Sequence, residues 1–233
     1  MTPTLLITRP QPAADSFASA VIAALQEDVP VVISPALQIV PLDPGTIPAP
    51  AHVVFTSVHG VAQAVRLGVT KVPAWCVGDK TAAAARAAGF DATSAGGAAN
   101  DLIALVIDRA PNGPMLHLAG RHHRGDIAAK LSRAGFQCTT IATYLQDLLP
   151  PTEAAIALAR GTKPVVAPVF SPRSSHIVNG LEWHGPLHVI AISGAVAEEM
   201  AHMGCDTIQT ASQPTEAAMI TATARQLRAI LDR

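Results

Sequence analysis

The sequence predicts an α/β chain built as two three-layer domains with parallel sheets. Three observations carry that prediction. Short apolar runs stop at Thr, Ser or Gly and feed helix-periodic segments, which reads as buried strand turning into helix. One such unit occurs twice. Two further extended segments, each followed by a proline-containing loop, fall where one unit gives way to the next.

The stretch Val53–Gly60, VVFTSVHG, shows the pattern most plainly. An apolar run ends at Thr56-Ser57 and an Ala/Val-rich helical segment follows. A strand-to-helix junction of this kind leaves backbone N–H groups unpaired, and together with the helix dipole they make a seat for an anion. The junction recurs as Val169–His176, VFSPRSSH. After the first copy come a strand at Trp75–Val77, the turn Gly78-Asp79-Lys80-Thr81, and an Ala-rich helix ending at Gly89. After the second come a strand at His188–Ile192, the turn Ser193-Gly194, and a helix ending at Gly204. Glycine at both helix ends suits the left-handed closing position. Each copy then offers a short strand-like stretch, a polar loop and a helix beginning near Asn100-Asp101 or Pro214-Thr215-Glu216.

The remaining elements form a second, different module, also present twice. Leu5–Ile7 is a buried-strand candidate meeting Thr8-Arg9-Pro10, and Asp15–Gln26 follows as an amphipathic helix with Phe17, Val21 and Leu25 on one face. Val31–Ser34 is its next strand. The counterpart is a strand at Met115–Leu118, the turn Ala119-Gly120-Arg121 with the basic cluster His122-His123-Arg124, and a helix from Asp126 closed by Gly135. Leu37–Val40 reads as a connecting strand, because five prolines between Pro30 and Pro48 rule out a central strand in the loop beyond it. Ile141–Gln146 reads as a second connecting strand, and Glu153–Arg160 as the helix that resumes the first domain. The expected domains are therefore residues 1–36 with 147–233, and an inserted domain at 41–140, joined by a ladder of 37–40 and 141–146.

Composition limits function without naming it. At 233 residues and 49% hydrophobic, the chain can bury a core in each domain. A formal net charge of −1 argues against general attraction to nucleic acid or an anionic membrane, so any charged ligand must be held locally. Cys76, Cys138 and Cys205 are widely spaced and in apolar surroundings, as reduced core thiols of a cytoplasmic protein would be. No basic region followed by an apolar run marks a secretory signal, and no apolar run is long enough to span a bilayer. With no exposed apolar stripe evident, a monomer is expected.

LLITRP, VVFTSVHGV, CVGDKTAAAARAAGF, LHLAG with RGD after it, the tyrosine in IATYLQ, VFSPRSS, and ISGAVAEEMAHMG followed by ASQPTEAAM occur in an order that resembles the uroporphyrinogen-III synthase family. The resemblance covers nearly the whole chain. It implies two flavodoxin- or Rossmann-like domains joined by a two-stranded β linker. It also implies an activity: dehydration and cyclisation of hydroxymethylbilane, a linear tetrapyrrole polycarboxylate, with inversion of the last pyrrole ring to give uroporphyrinogen III. Neither metal nor cofactor is implied. Two sets of strand-to-helix turns would supply backbone donors for the carboxylates without a large positive charge.

Carried over residue by residue, the resemblance puts Tyr144 where the family has a cleft-facing tyrosine, and makes its phenol a proton donor to the leaving hydroxyl. It is the chain's one tyrosine; the plainer alternative is a half-buried strand aromatic. Thr81 and Thr215 match family threonines at helix starts, with ordinary N-capping as the alternative. Thr56, Ser57 and Ser171 are expected to bind substrate through hydroxyl and backbone N–H, again against local capping. Arg9 and Arg173 can fork onto carboxylates, although Arg9 can equally pair with an acid of its own domain. Gly78, Gly120 and Ser193 complete the expected substrate-binding turns. The chain departs from the family at His59, where asparagine is commoner, at Gly194, where alanine or proline usually follows the serine, and in the short proline-rich 41–52 loop.

Other readings are weaker. Gly78-Asp79-Lys80-Thr81 lacks the preceding glycines of a phosphate-binding loop. His117, His122 and His123 have no carboxylates at ligand spacing, so no metal is expected. A non-catalytic two-domain small-molecule-binding or sensor module on the same fold is the alternative to an enzyme.

Overall fold

A computed structural model of the chain describes residues 1–69, 71–122 and 125–233. The first elements are β1 (Thr4–Ile7), α1 (Ala13–Leu25), β2 (Val31–Ile33) and β3 (Leu37–Pro41). Then come β4 (His52–Phe55), α2 (Val58–Arg66), β5 (Pro73–Cys76), α3 (Asp79–Ala87), β6 (Asp91–Ser94) and α4 (Ala99–Arg109). Next are β7 (Met115–Gly120), α5 (Ile127–Arg133), β8 (Cys138–Leu148) and α6 (Glu153–Ala159). The last are β9 (Val165–Val169), α7 (Pro172–Asn179), β10 (Leu187–Ala191), α8 (Gly194–Met200), β11 (Thr207–Thr210) and α9 (Glu216–Leu231). Two compact units result: Met1–Gln38 with Leu148–Arg233, and Ile39–Asp147.

The unit built from both ends of the chain carries the five-stranded sheet β11-β10-β9-β1-β2, parallel throughout. Successive strand residues point to opposite faces. Leu5, Ile7, Val166 and Ile190 pack under α1 and α9 against Phe17, Val21, Met219 and Leu227. Leu6, Val165, Ala167 and Val189 pack on the other side against Ala155 of α6, Ile177 of α7 and Val196 of α8. These apolar strand runs are buried on both faces, which is what a parallel sheet covered by helices requires.

The Ile39–Asp147 unit carries the sheet β3-β8-β7-β4-β5-β6, parallel from β8 to β6. Val53, Phe55, Leu116 and Leu118 face α2 and α3, while Val54, Trp75 and Met115 face α4 and α5. Leaving aside β3, the orders β8-β7-β4-β5-β6 and β2-β1-β9-β10-β11 are the same arrangement. Each of the two sequence modules thus reappears in each unit at the same place in the sheet.

Two elements differ from the local reading. β8 does not begin at Ile141: Cys138, Thr139 and Thr140 already pair with Met115, Leu116 and His117 of β7. Their strand state is imposed by that neighbour rather than by any alternation of their own. Pro168 lies inside the centre strand β9, a position where proline normally breaks a ladder. It is tolerated because β1 and β9 pair only at Thr4↔Val165 and Leu5↔Val166, below the proline.

Candidate active site

In a doubly wound sheet, ligands sit at the carboxyl ends of neighbouring strands from which the chain winds off in opposite directions. In the Ile39–Asp147 unit those neighbours are β4 and β7, since β4 leads outward to β5 and β6 and β7 leads the other way to β8. Thr56-Ser57 and Gly120 stand at their ends. In the other unit the corresponding neighbours are β9 and β1. Phe170-Ser171 and Thr8-Arg9 stand there.

Tyr144 joins the first group through a β-bulge. Ala119 pairs with Ala142 but Gly120 pairs with Tyr144, so Thr143 is the extra residue. Its hydroxyl donates to the Ala119 carbonyl at 3.3 Å. A bulge re-aims the side chain that follows it, and here it lays the Tyr144 ring over Gly120. The phenol is 4% exposed. The Ser57 side chain and the Gly120 backbone hydrogen-bond its oxygen, and burial outweighs both to push the phenol pKa above its ordinary value. Ser57 meanwhile N-caps α2, accepting the His59 N–H at 3.2 Å. The His59 ring, whose pKa burial lowers, meets the Tyr144 ring in a T-shaped contact at 5.8 Å. Gly60 seats α2 against β7: a side chain there would collide with the Leu118 carbonyl oxygen.

Thr56, half-buried, has its Oγ1 3.1 Å from Nε2 of His117. Gly78 is the N-cap of α3 and offers no side-chain acceptor, so the first-turn N–H groups are not taken up by their own cap. A Cβ at Gly78 would sit 3.3 Å from Gly97 Cα. Thr81 is not the cap of α3 but lies inside its first turn, 6% exposed.

In the other unit Ser171 caps α7, accepting the Ser174 N–H at 3.1 Å, while Ser174 Oγ returns the bond to the Ser171 N–H at 3.0 Å. Arg173 lies in that first turn. Ser193 occupies the N-cap of α8 without a side-chain cap bond. Thr215 caps α9, accepting the Ala218 N–H at 3.3 Å. Arg9 packs its guanidinium 4.4 Å above the Phe170 ring, and its Nη1 lies 3.3 Å from Glu216 Oε2. Arg9 therefore has an acid of its own unit as partner.

Tyr144, Thr56, Ser57, Gly78, Thr81 and Gly120 thus belong to one unit, and Arg9, Ser171, Arg173, Ser193 and Thr215 to the other. The sequence reading weighed His117 only as a metal ligand and missed Thr140, whose Oγ1 lies 3.1 Å from His117 Nδ1. No spacing announces that contact; only the order β4-β7-β8 creates it. Of the basic cluster His122-His123-Arg124, His123 and Arg124 lie outside the described residues. Among the described residues no three His, Cys, Asp or Glu side chains gather as metal ligands, and no helix is long and apolar enough to cross a membrane.

Solved structures share this fold. The chain superposes on uroporphyrinogen-III synthetase from Helicobacter pylori 26695 with a TM-score of 0.68 and 13% identity, covering 98% of this chain and 99% of that one. It superposes on a substituted uroporphyrinogen III synthase from Thermus thermophilus with a TM-score of 0.51 and 14% identity, covering 97% and 99%. No curated protein matches the chain by sequence. Residues 19–221 match the family model described as uroporphyrinogen-III synthase HemD. With that match spanning most of its length, the chain belongs to the uroporphyrinogen-III synthase family.

Proposed function

We propose that Tyr144 is the proton donor through which this chain carries out the reaction of its family: dehydration and cyclisation of hydroxymethylbilane, with inversion of the terminal pyrrole ring, to uroporphyrinogen III. One observation carries this reading. The phenol oxygen is hydrogen-bonded by Ser57 and by the Gly120 backbone, while burial favours the protonated form. A phenol kept protonated at the end of the β4 and β7 strands is a proton donor for a ligand held by those turns. Given to the terminal hydroxyl of the substrate, that proton lets the C–O bond break and water leave, producing the azafulvenium cation beside the phenolate. Ring closure at the pyrrole carbon releases a proton that restores the phenol.

The carboxylates of the substrate are assigned to the turns at the strand ends. Thr56, Ser57, Gly78 and Thr81 serve one unit, and Arg9, Ser171, Arg173, Ser193 and Thr215 the other. Holding a flexible chain in one geometry supplies much of the catalysis. The same reading carries a monomer working in the cytoplasm. The test is to supply fresh hydroxymethylbilane and separate the macrocyclic isomers. Formation of uroporphyrinogen III is expected; the uninverted isomer alone, at the uncatalysed rate, would end the proposal.

A further inference from the structure

His117 lies in the middle of β7, completely buried, with β4 on one side and β8 on the other. Its Nε2 is 3.1 Å from Thr56 Oγ1 and its Nδ1 is 3.1 Å from Thr140 Oγ1. Thr140 is its register partner in β8, whereas Thr56 lies two residues beyond its register partner Val54 in β4. A line of polar groups therefore crosses three strands and ends at the turn after β4. A buried histidine on a strand is ordinarily a packing residue with satisfied nitrogens. This one is placed so that the way it is satisfied decides what Thr56 presents to a ligand.

A neutral imidazole has one N–H and one lone pair, so the two hydroxyls must play opposite parts. In one arrangement Thr140 donates to Nδ1, Nε2–H donates to Thr56, and the Thr56 hydrogen is left to point away from the sheet. In the other, Thr56 spends its hydrogen on Nε2 and turns only lone pairs outward, which repels a carboxylate.

We propose that His117 is a positioning residue. With Thr140 behind it, it holds its proton on Nε2 and thereby makes the Thr56 hydroxyl an obligatory donor to a carboxylate of the ligand. This rests on the carboxylate-binding role proposed above for Thr56. Each bond in such a chain polarises the next, so the terminal donor is stronger than an isolated threonine hydroxyl.

The relay is testable without turnover. Two-bond ¹H–¹⁵N spectra of histidine-labelled protein report which ring nitrogen carries the proton. The chain has nine histidines, so the His117 signal is assigned in the unaltered chain by correlating its ring with the sequentially assigned β7 backbone. A ring protonated on Nε2 alone is expected. Protonation on Nδ1, alone or together with Nε2, overturns the relay, and this decides the matter in the unaltered chain even if a variant fails to fold.

Thr140→Val removes the hydroxyl behind the ring without touching Thr56. In a folded variant KM for hydroxymethylbilane is expected to rise about five- to tenfold with kcat within about twofold, as loss of one binding hydrogen bond does. Thr140→Ser should restore it. An unchanged KM in folded Thr140→Val overturns the proposal. If the unaltered chain itself fails to convert hydroxymethylbilane, the reaction assignment falls while the tautomer measurement still decides the relay.

Discussion

Gly120 leaves the Tyr144 ring the space it occupies. A methyl placed on Gly120 would lie 2.7 Å from Cε2 and 3.0 Å from Cζ of that ring. The bulge at Thr143 aims the ring and the bare backbone of β7 receives it, so two separate features of the β7–β8 ladder fix one phenol.

Gly120→Ala should therefore displace the phenol from Ser57. Overpacking of this kind costs about 1–3 kcal/mol, and turnover should fall together with the melting temperature. Wild-type turnover in a folded Gly120→Ala chain would separate the glycine from the chemistry.

Tyr144→Phe keeps the ring and removes the proton. Turnover is expected to drop by about 10²- to 10⁴-fold, the range for loss of a general acid, while the urea midpoint moves little. Unchanged turnover would remove Tyr144 as the donor.

The phenol can be titrated directly, because the chain has one tyrosine and tyrosinate absorbance reports it alone. Burial raises its pKa, so the folded chain should release the proton at a higher pH than the chain in urea, where the midpoint is about 10. The neutral phenol's contribution to stability is complete below pH about 10 and is lost as pH climbs through the folded value, where the native state holds the extra proton. Coincident titrations in the two states would contradict the burial argument.

Arg9 tests whether stacking or charge holds the end of β1. Its guanidinium lies on Phe170 and faces Glu216, with the side chain 17% exposed. Arg9→Lys keeps the charge but loses the planar stack, and should cost about 1 kcal/mol. Glu216→Gln should cost less, because partly exposed pairs contribute about 0–1 kcal/mol. Urea midpoints compare the two. A larger loss in Glu216→Gln would make the ion pair the main tie.

Much of the fold was legible because it is written in local patterns. Val53–Gly60 and Val169–His176 read as the same junction, and Ser57 and Ser171 do cap matching helices. Caps and apolar periodicity act within a few residues, so a single chain displays them. The rest depends on neighbours distant in sequence. Cys138–Thr140 become strand only beside β7, and Pro168 fits a centre strand only because the β1 ladder stops short of it. The contact of Thr56 with His117 bridges 61 residues, and that of His117 with Thr140 bridges 23. Capping was the plainer alternative for Thr81, but α3 begins two residues earlier with Gly78 as its cap, which removes that alternative.

The interleaved chain order bears on how the protein is made. β1 and β2 leave the ribosome well before the strand that pairs with the other edge of β1, which is β9 at Val165–Val169, and the whole Ile39–Asp147 unit is synthesised in between. At roughly 5–20 residues per second, the amides along that edge wait unpaired for on the order of ten seconds. An open edge is a template for mispairing with other nascent chains. Substitutions in β1 should then reduce the yield of newly made protein more than the melting temperature of molecules that have already closed the sheet.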